Sequence, residues 1–397
     1  MSDPSHYLDA EAAAESLGVG RATLYAYVSR GLIRTTEATA DPRRRLYSRQ
    51  DIEQLKKKKS VGRRPREVAA ATLDWGLPVL PSTITLIENG RLFYRGRDAA
   101  AWSQRASLEQ TARLLWECGE NDPFVEPPQG KPAWNPAILA AAAALPLTER
   151  CQMLLPLVEA GRATAWQRDG RRLWKAAASL LRATAAAAVA GIPDGAPVHE
   201  YLAKQWNLDP DGADVVRQAL VLLADHELNA SAFAIRVVAS TGASLGASLN
   251  AGLSALSGPL HGGTTSLVEQ LFDEIDATDD IAALVEQRLR RGDGMPGFGH
   301  PLYPNGDPRA KALLARLPES RRGSVLTAIM ADSAGRHPNI DFALVSARRI
   351  LGLPEGSALA LFAIGRCVGW MAHALEQHGE DRLIRPRARY IGIAPGR

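Results

Sequence analysis

Residues 294–310 read GMPGFGHPLYPNGDPRA. Proline removes backbone donors and fixes φ, while glycine admits conformations that other residues resist, so this stretch is neither a regular helix nor a central strand. It is a loop whose shape its prolines fix. Phe298, Leu302 and Tyr303 give it apolar anchors, so it packs down onto the protein. A stiff, packed loop that presents one histidine, His300, and a cation nine residues on, Arg309, reads as part of a binding site more readily than as a structural turn.

Outward from the loop, the chain is mostly helical. Apolar stripes of helical period cover 107–118, 137–145, 149–160, 171–190, 212–223, 227–254, 264–275, 279–290, 309–316, 322–334, 339–351 and 357–378. One segment differs: TITLIENGRLFYRGRDAAAW (83–102) places two β-rich runs around Asn89-Gly90, a hairpin signature. The fold class is therefore all-α, with a small β-hairpin at the start of the helical body. At 397 residues there is material for two or three domains, and 46% hydrophobic with 23% charged residues is ordinary for a globular protein.

Cys118, Cys151 and Cys367 are far apart, and no Cys/His spacing resembles a zinc site or a disulfide framework. No metal and no bound cofactor are expected. The start, MSDPSHYLDAEAAAE, lacks the pattern of a signal peptide, and the apolar run 177–192 is broken by Arg182, which favours a buried alanine-rich helix over a membrane span. A cytoplasmic protein is expected.

Charge is uneven. Residues 1–66 hold 14 Lys+Arg against 8 Asp+Glu, a balance of +6, and the remainder holds 33 against 35, a balance of −2. The basic sixth, YLDAEAAAESLGVGRATLYAYVSRGLI (7–33), has a helix–turn–helix pattern: Asp9 caps a first helix, Gly18 turns the chain, Val19 plugs the turn and a second helix starts near Arg21. Arg21, Thr23, Tyr25 and Arg30 can face outward, where a recognition helix needs donors. A basic turn with Arg43, Arg44 and Arg45 comes next, then a helix capped by Ser48. The whole resembles a MerR-like winged helix-turn-helix over 1–59, with the three arginines as wing tip; KKKKSVGRRPRE (56–67) reads as basic linker, and the linker is expected over 60–71. Duplex DNA is the partner this implies; a docking or dimerisation module is the alternative.

Three further segments carry polar groups that packing alone does not need. In ADHELNASAF (224–233), His226 and Asn229 would share a helix face. In SGPLHGGTTSLVEQL (257–271), His261 stands just before a helix N-terminus, whose dipole disfavours imidazolium. In HPNIDFALVSARRILGL (337–353), Asp341 lies between Ile340 and Phe342, a setting that raises a carboxylate pKa unless the residue is only a helix cap.

Together with the opening loop and IGRCVGWMAHALEQ…RLIRPRARYIG (364–392), these segments resemble the citrate synthase family over about 72–394. The resemblance implies a helical homodimer of two-domain subunits, with a small domain at about 258–345 inserted in the large one within 72–397. It implies His261, His300 and Asp341 as catalytic residues, and His226, His300, Arg309 and Arg366 as ligands of oxaloacetate, with Arg385 lent across the dimer. It also implies that Met295, Pro296, Gly297, Phe298 and Gly299 line CoA, and that acetyl-CoA enters as a substrate; a 2-methylcitrate synthase using propionyl-CoA, or a regulator using the domain as a metabolite sensor, are the alternatives. One position departs from the family: where many members carry Arg or Lys for a CoA phosphate, this chain has Pro304.

Overall fold

The computed structural model describes residues 7–29, 32–38, 41–61, 80–125, 134–159, 169–380, 382–388 and 390–393. The chain divides into two compact units, Met1–Pro81 and Ser82–Arg397.

In the first unit, Asp9 accepts the Glu11 and Ala12 amides and starts the helix Ala10–Leu17, which Gly18 ends. The helix Arg21–Ser29 comes after it. Strands Tyr7–Leu8, Thr35–Ala38 and Asp41–Ser48 form one antiparallel sheet with Asp41–Ser48 in the middle. Ala13, Leu17, Leu24, Ile33, Tyr47, Ile52 and Leu55 make its core. Arg43, Arg44 and Arg45 lie within the strand Asp41–Ser48; Arg45 pairs with Glu37, and the register slip between Glu37 and Ala38 leaves residues 42–44 as a bulge next to the turn. The Ser48 hydroxyl accepts the Asp51 amide, and the helix it caps, Arg49–Val61, takes in the lysine run that reads as linker in the sequence.

The second unit opens with the hairpin Thr85–Glu88 and Arg91–Tyr94, paired in register around Asn89-Gly90, and Arg97–Asp98 adds a third strand. Helices supply nearly all the other regular structure among the described residues. The stripe over 227–254 is two helices, Ala230–Ser240 and Leu245–Leu256. Gly242 takes φ +83 between them and the Ser244 hydroxyl caps the second, so local chemistry overrides an unbroken apolar pattern. A helix absent from the periodicity, Val198–Gln205, packs against Pro210–Leu223. All three cysteines are free and buried.

The axis of the body is the helix Ser357–Glu380. By length and apolarity it could cross a membrane, yet 89% of its apolar window is buried inside the protein. It is a core helix, as is Gly170–Ala188, where the guanidinium of buried Arg182 donates to the Phe124 carbonyl at 2.8 Å. Gly365 and Gly369, one turn apart, let Ser357–Glu380 approach the end of Pro210–Leu223 and the turn beyond it. A Cβ at 369 would stand 2.4 Å from the Ala224 carbonyl oxygen and 2.2 Å from Asp225 Oδ1, and the Gly369 amide donates to that carbonyl at 2.8 Å. This approach brings Arg366 beside the turn that carries His226. Gly369→Ala should therefore force the two elements apart, lowering stability by about 1–3 kcal/mol and moving the urea midpoint down with it; an unchanged midpoint would show that the contact is dispensable.

Candidate active site

The loop 294–310 is pinned by backbone pairing to the segment that precedes the Asp341 helix. Gly299 N–H donates to His337 O and Asn339 N–H to Gly297 O, both at 2.8 Å. Gly297 and Gly299 sit at φ +86 and +80, which a side chain would resist, and this lets the loop fold back under His300. Met295 and Phe298 are buried, Phe298 packing on Phe342 with ring centres 5.0 Å apart. Their side chains therefore belong to the core, and of 295–299 it is the backbone and Pro296 that are left to face a ligand.

Asp307 organises the far end of the loop. It caps the helix Pro308–Leu314, accepting the Arg309 amide at 3.0 Å, and holds the Arg309 guanidinium in a fork at 3.0 and 2.7 Å. Its Oδ2 also accepts the Ile340 amide at 3.1 Å, at the start of the helix Ile340–Ile350. Burial lowers the Arg309 pKa, but the paired Asp307 carboxylate more than offsets this and the guanidinium pKa rises. Arg366 donates from Nε to Leu223 O at 2.9 Å and lies over the Phe362 ring. Burial pulls it down to about 10, with Asp225 pulling the other way, so it stays charged near neutrality. Both arginines are almost wholly buried, at 2% and 1% exposure. Yet Nη1 of Arg309 and both terminal nitrogens of Arg366 make no hydrogen bond to any described residue.

Three histidines surround these cations. His226 and His300 meet edge to face with ring centres 5.1 Å apart, and Tyr303 lies against both. His226 Nε2 and Tyr303 Oη are 2.9 Å apart. Burial and then the arginines hold His226 well below the ordinary histidine value. Burial, then Arg309, brings His300 down to about 4. His300 is thus neutral, and because its Nδ1 accepts the Leu302 amide at 3.1 Å, the ring proton is on Nε2. Burial, then Arg366, brings His261 to about 4 as well, so it too is neutral. His261 Nε2 lies 2.9 Å from Ser231 Oγ.

Asp341 is not a cap. Asn339 fills that position, accepting the Asp341 and Phe342 amides, so the Asp341 carboxylate is spared. Burial pushes it up to about 6 against the pull of Arg309 and Arg366. His226 and Asn229 do not share a helix face: residues 224–229 are irregular, Glu227 is left-handed at φ +58, and Asn229 caps the helix Ala230–Ser240. Arg385 is exposed in the segment 382–388. Sequence reading missed Asp307, Tyr303, Ser231 and Trp370; only Asp307, two residues before an arginine and at a cap position, left a readable signal.

Of the head residues, Arg21, Thr23 and Arg45 are exposed, as is Tyr25 at 52%. Arg21 reaches Glu11 at 3.7 Å. Arg30 and the side chains of Arg43 and Arg44 lie outside the described residues.

A helical body that gathers two buried guanidiniums, three neutral imidazoles and one proton-hungry carboxylate is built to bind a small polyanion and move a proton next to it. The model of the citrate synthase C-terminal domain matches residues 72–387, and the chain belongs to that family; a helix-turn-helix domain matches residues 7–60. Citrate synthase 2 of Bacillus subtilis is 37% identical over 196 residues, 46% of this chain and 52% of that protein. The 2-methylcitrate synthase of Shewanella oneidensis is 35% identical over 195 residues, 46% and 51% of the two chains. The chain thus spans about half the length of the curated relatives it matches. The citrate synthase of Thermoplasma acidophilum, solved in ternary complex with carboxymethyl coenzyme A and oxaloacetate, superposes with a TM-score of 0.68 at 25% identity, covering 81% of this chain and 96% of that one. The Thermotoga maritima citrate synthase gives a TM-score of 0.66, also at 25% identity and with the same coverage.

The Asp341 environment carries a stability consequence. Its folded pKa, about 6, stands above the ordinary carboxylate value near 4, so between these pH values the native state holds a proton that the unfolded chain has lost. Stability is therefore full below pH ~4 and falls as pH rises through ~6. Asp341→Asn should match the wild type at pH ~4 and exceed it at pH ~7.5, read by urea unfolding at the two values; equal stability at both would mean that the carboxylate is not strained by burial.

Proposed function

We propose that the body condenses a short acyl-CoA thioester with oxaloacetate and hydrolyses the resulting thioester, acetyl-CoA giving citrate and free CoA. The observation that carries this reading is the pair of buried arginines whose guanidinium edges have no partner among the described residues. A dicarboxylate is the natural occupant of two such edges, since carboxylate and guanidinium match in a fork.

The geometry suggests a role for each group. Arg309 and Arg366 hold the carboxylates of the oxoacid, with His226 beside them and Arg385 of a second subunit completing the set. His300, whose proton is on Nε2, donates to the ketone oxygen. Asp341 removes the α-proton of the thioester while His261 donates to its oxygen. The enol carbon then attacks the ketone carbon, and the ketone oxygen gains the His300 proton as the C–C bond forms. Water cleaves the product thioester, releasing CoA.

Magnitudes say what each part must do. A thioester α-proton has a pKa of about 20, and raising Asp341 to about 6 narrows the gap to ~14 units, or ~19 kcal/mol. Tuning the base thus supplies only ~3 kcal/mol relative to an ordinary aspartate. The larger share falls to stabilising the enol oxygen in a site closed to water, for which movement of the segment 258–345 is the candidate. CoA is read against the backbone of 295–299. With Pro304 unable to hold a phosphate, the exposed Arg336 is a nearby cation: its side chain runs beside Gly299, within 3.7 Å of where a Cβ would stand. Arg63, Arg64 and Arg66 lie outside the described residues.

Thiol release from acetyl-CoA and from propionyl-CoA in the presence of oxaloacetate tests the reading and ranks the acyl groups. Asp341→Asn should lower the rate by ~10²–10⁴-fold while oxaloacetate binding persists. Absence of turnover with either thioester by the wild type would leave a metabolite sensor as the function of the body.

We infer in addition that the N-terminal unit binds duplex DNA. The excess of basic charge in 1–66 and the exposure of Arg21, Thr23, Tyr25 and Arg45 support this. Affinity should fall steeply with salt, and the combined Arg43→Ala, Arg44→Ala and Arg45→Ala variant should flatten the log–log slope by ~2–3 units in a fluorescence titration of genomic fragments. No binding at low salt would favour a protein-docking role for the head.

A further inference from the structure

We propose that Asn229 sets which ring nitrogen of His261 carries the proton, acting through the hydroxyl of Ser231. The consequence for catalysis rests on the condensing-enzyme reading; the proton assignment itself does not. Three polar groups surround Ser231 Oγ. The indole N–H of Trp370, which can only donate, is 3.0 Å away. Asn229 Oδ1, which can only accept, is 2.7 Å away. The orientation of that amide is settled, because the same oxygen accepts the Ala232 amide at 3.1 Å as the helix cap. His261 Nε2, at 2.9 Å, can do either.

A hydroxyl has one proton and two lone pairs. Trp370 fills one lone pair. If the hydroxyl proton goes to Asn229, His261 must donate from Nε2 into the other lone pair, and Nδ1 is bare. If it goes instead to His261, Nε2 accepts and the ring proton sits on Nδ1. His261 is neutral, so it has a single proton to place. The first arrangement makes three hydrogen bonds at Oγ and the second makes two, with Asn229 keeping the Ala232 amide in both. The empty protein therefore rests with Nδ1 bare. A thioester oxygen can only accept, and Nδ1 is the nitrogen that Ser231 leaves open to a ligand. The competent tautomer is thus the minor one until a ligand supplies the missing bond. The exchange needs no net proton: the hydroxyl hydrogen turns from Asn229 to Nε2, the proton on Nε2 leaves to solvent and Nδ1 takes one up. Asn229 is a positioning residue that holds His261 back, and Trp370, fully buried, pins the hydroxyl so that these are the only two settings.

The test is nitrogen-15 NMR of histidine-labelled full-length protein at neutral pH, with His261→Gln assigning the resonance and KM for acetyl-CoA measured in parallel. The wild type should show the proton on Nε2. Asn229→Gly, a tolerated cap, removes the acceptor. The proton should move to Nδ1 and KM for acetyl-CoA should fall about fivefold, the worth of one neutral hydrogen bond, with KM for oxaloacetate unchanged. Asn229→Asp keeps the cap and strengthens the acceptor, so it should hold the proton on Nε2 and raise KM for acetyl-CoA. A merely structural Asn229 would shift both variants in one direction and leave the ring alone. A wild-type proton on Nδ1, or a tautomer indifferent to both variants, overturns the proposal. Should the tautomer respond while neither thioester is turned over, the assignment stands and the condensing-enzyme reading is what fails.

Discussion

One carboxylate, Asp307, ties the site together. It caps the helix that begins at Pro308, holds Arg309 in a fork and accepts the amide of Ile340, the residue before Asp341. The loop, Arg309 and the helix Ile340–Ile350 thus share a single buried anchor. Breaking such a pair from one side leaves an uncompensated charge in the interior, which typically costs ~3–5 kcal/mol. The prolines of the loop reinforce the same constraint by limiting what the chain can do between His300 and Arg309. The relative placing of His300, Arg309 and Asp341 is therefore fixed by the fold itself.

Electrostatics inside the body depend on that anchor. Arg309 has its own counter-ion and Arg366 has Asp225 only at a distance, so a net positive field is left where a dianion would sit. The same field, on top of burial, keeps the imidazoles neutral. Neutral imidazoles donate single, directed hydrogen bonds without adding charge that would compete with the arginines for the substrate. Asp341 is the exception: the cations pull its pKa down, but burial outweighs them and leaves a carboxylate that gains by taking a proton. The neutral imidazoles and the raised Asp341 pKa thus draw on one feature, the dryness of the interior, to which the close approach of Ser357–Glu380 at Gly365 and Gly369 contributes.

The fold, and the residues that gather at the candidate site, were legible from the sequence because their signals are local. Helical period marks a buried face, Asn89-Gly90 marks a hairpin, and glycine with proline marks a stiff loop around His300. What periodicity could not mark were breaks made by single residues. The apolar pattern runs on past Gly242 and Ser244, so two helices read as one. The sequence also could not tell whether Asp341 caps its helix; only the placement of Asn339 two residues earlier, at the cap position, frees that carboxylate.

What the sequence determined by itself is the inventory: the histidines, arginines and aspartate, the loop that carries two of them, and the basic head with its helix–turn–helix spacing. What tertiary structure alone decided is their state. Whether an imidazole is charged and whether an arginine keeps a free edge depend on neighbours far away in the chain. Trp370 meets Ser231, Arg366 meets Leu223, and Asp307 meets Ile340. Hydrogen bonds and desolvation act over a few ångströms of space regardless of sequence separation, so these properties exist only once the chain has folded.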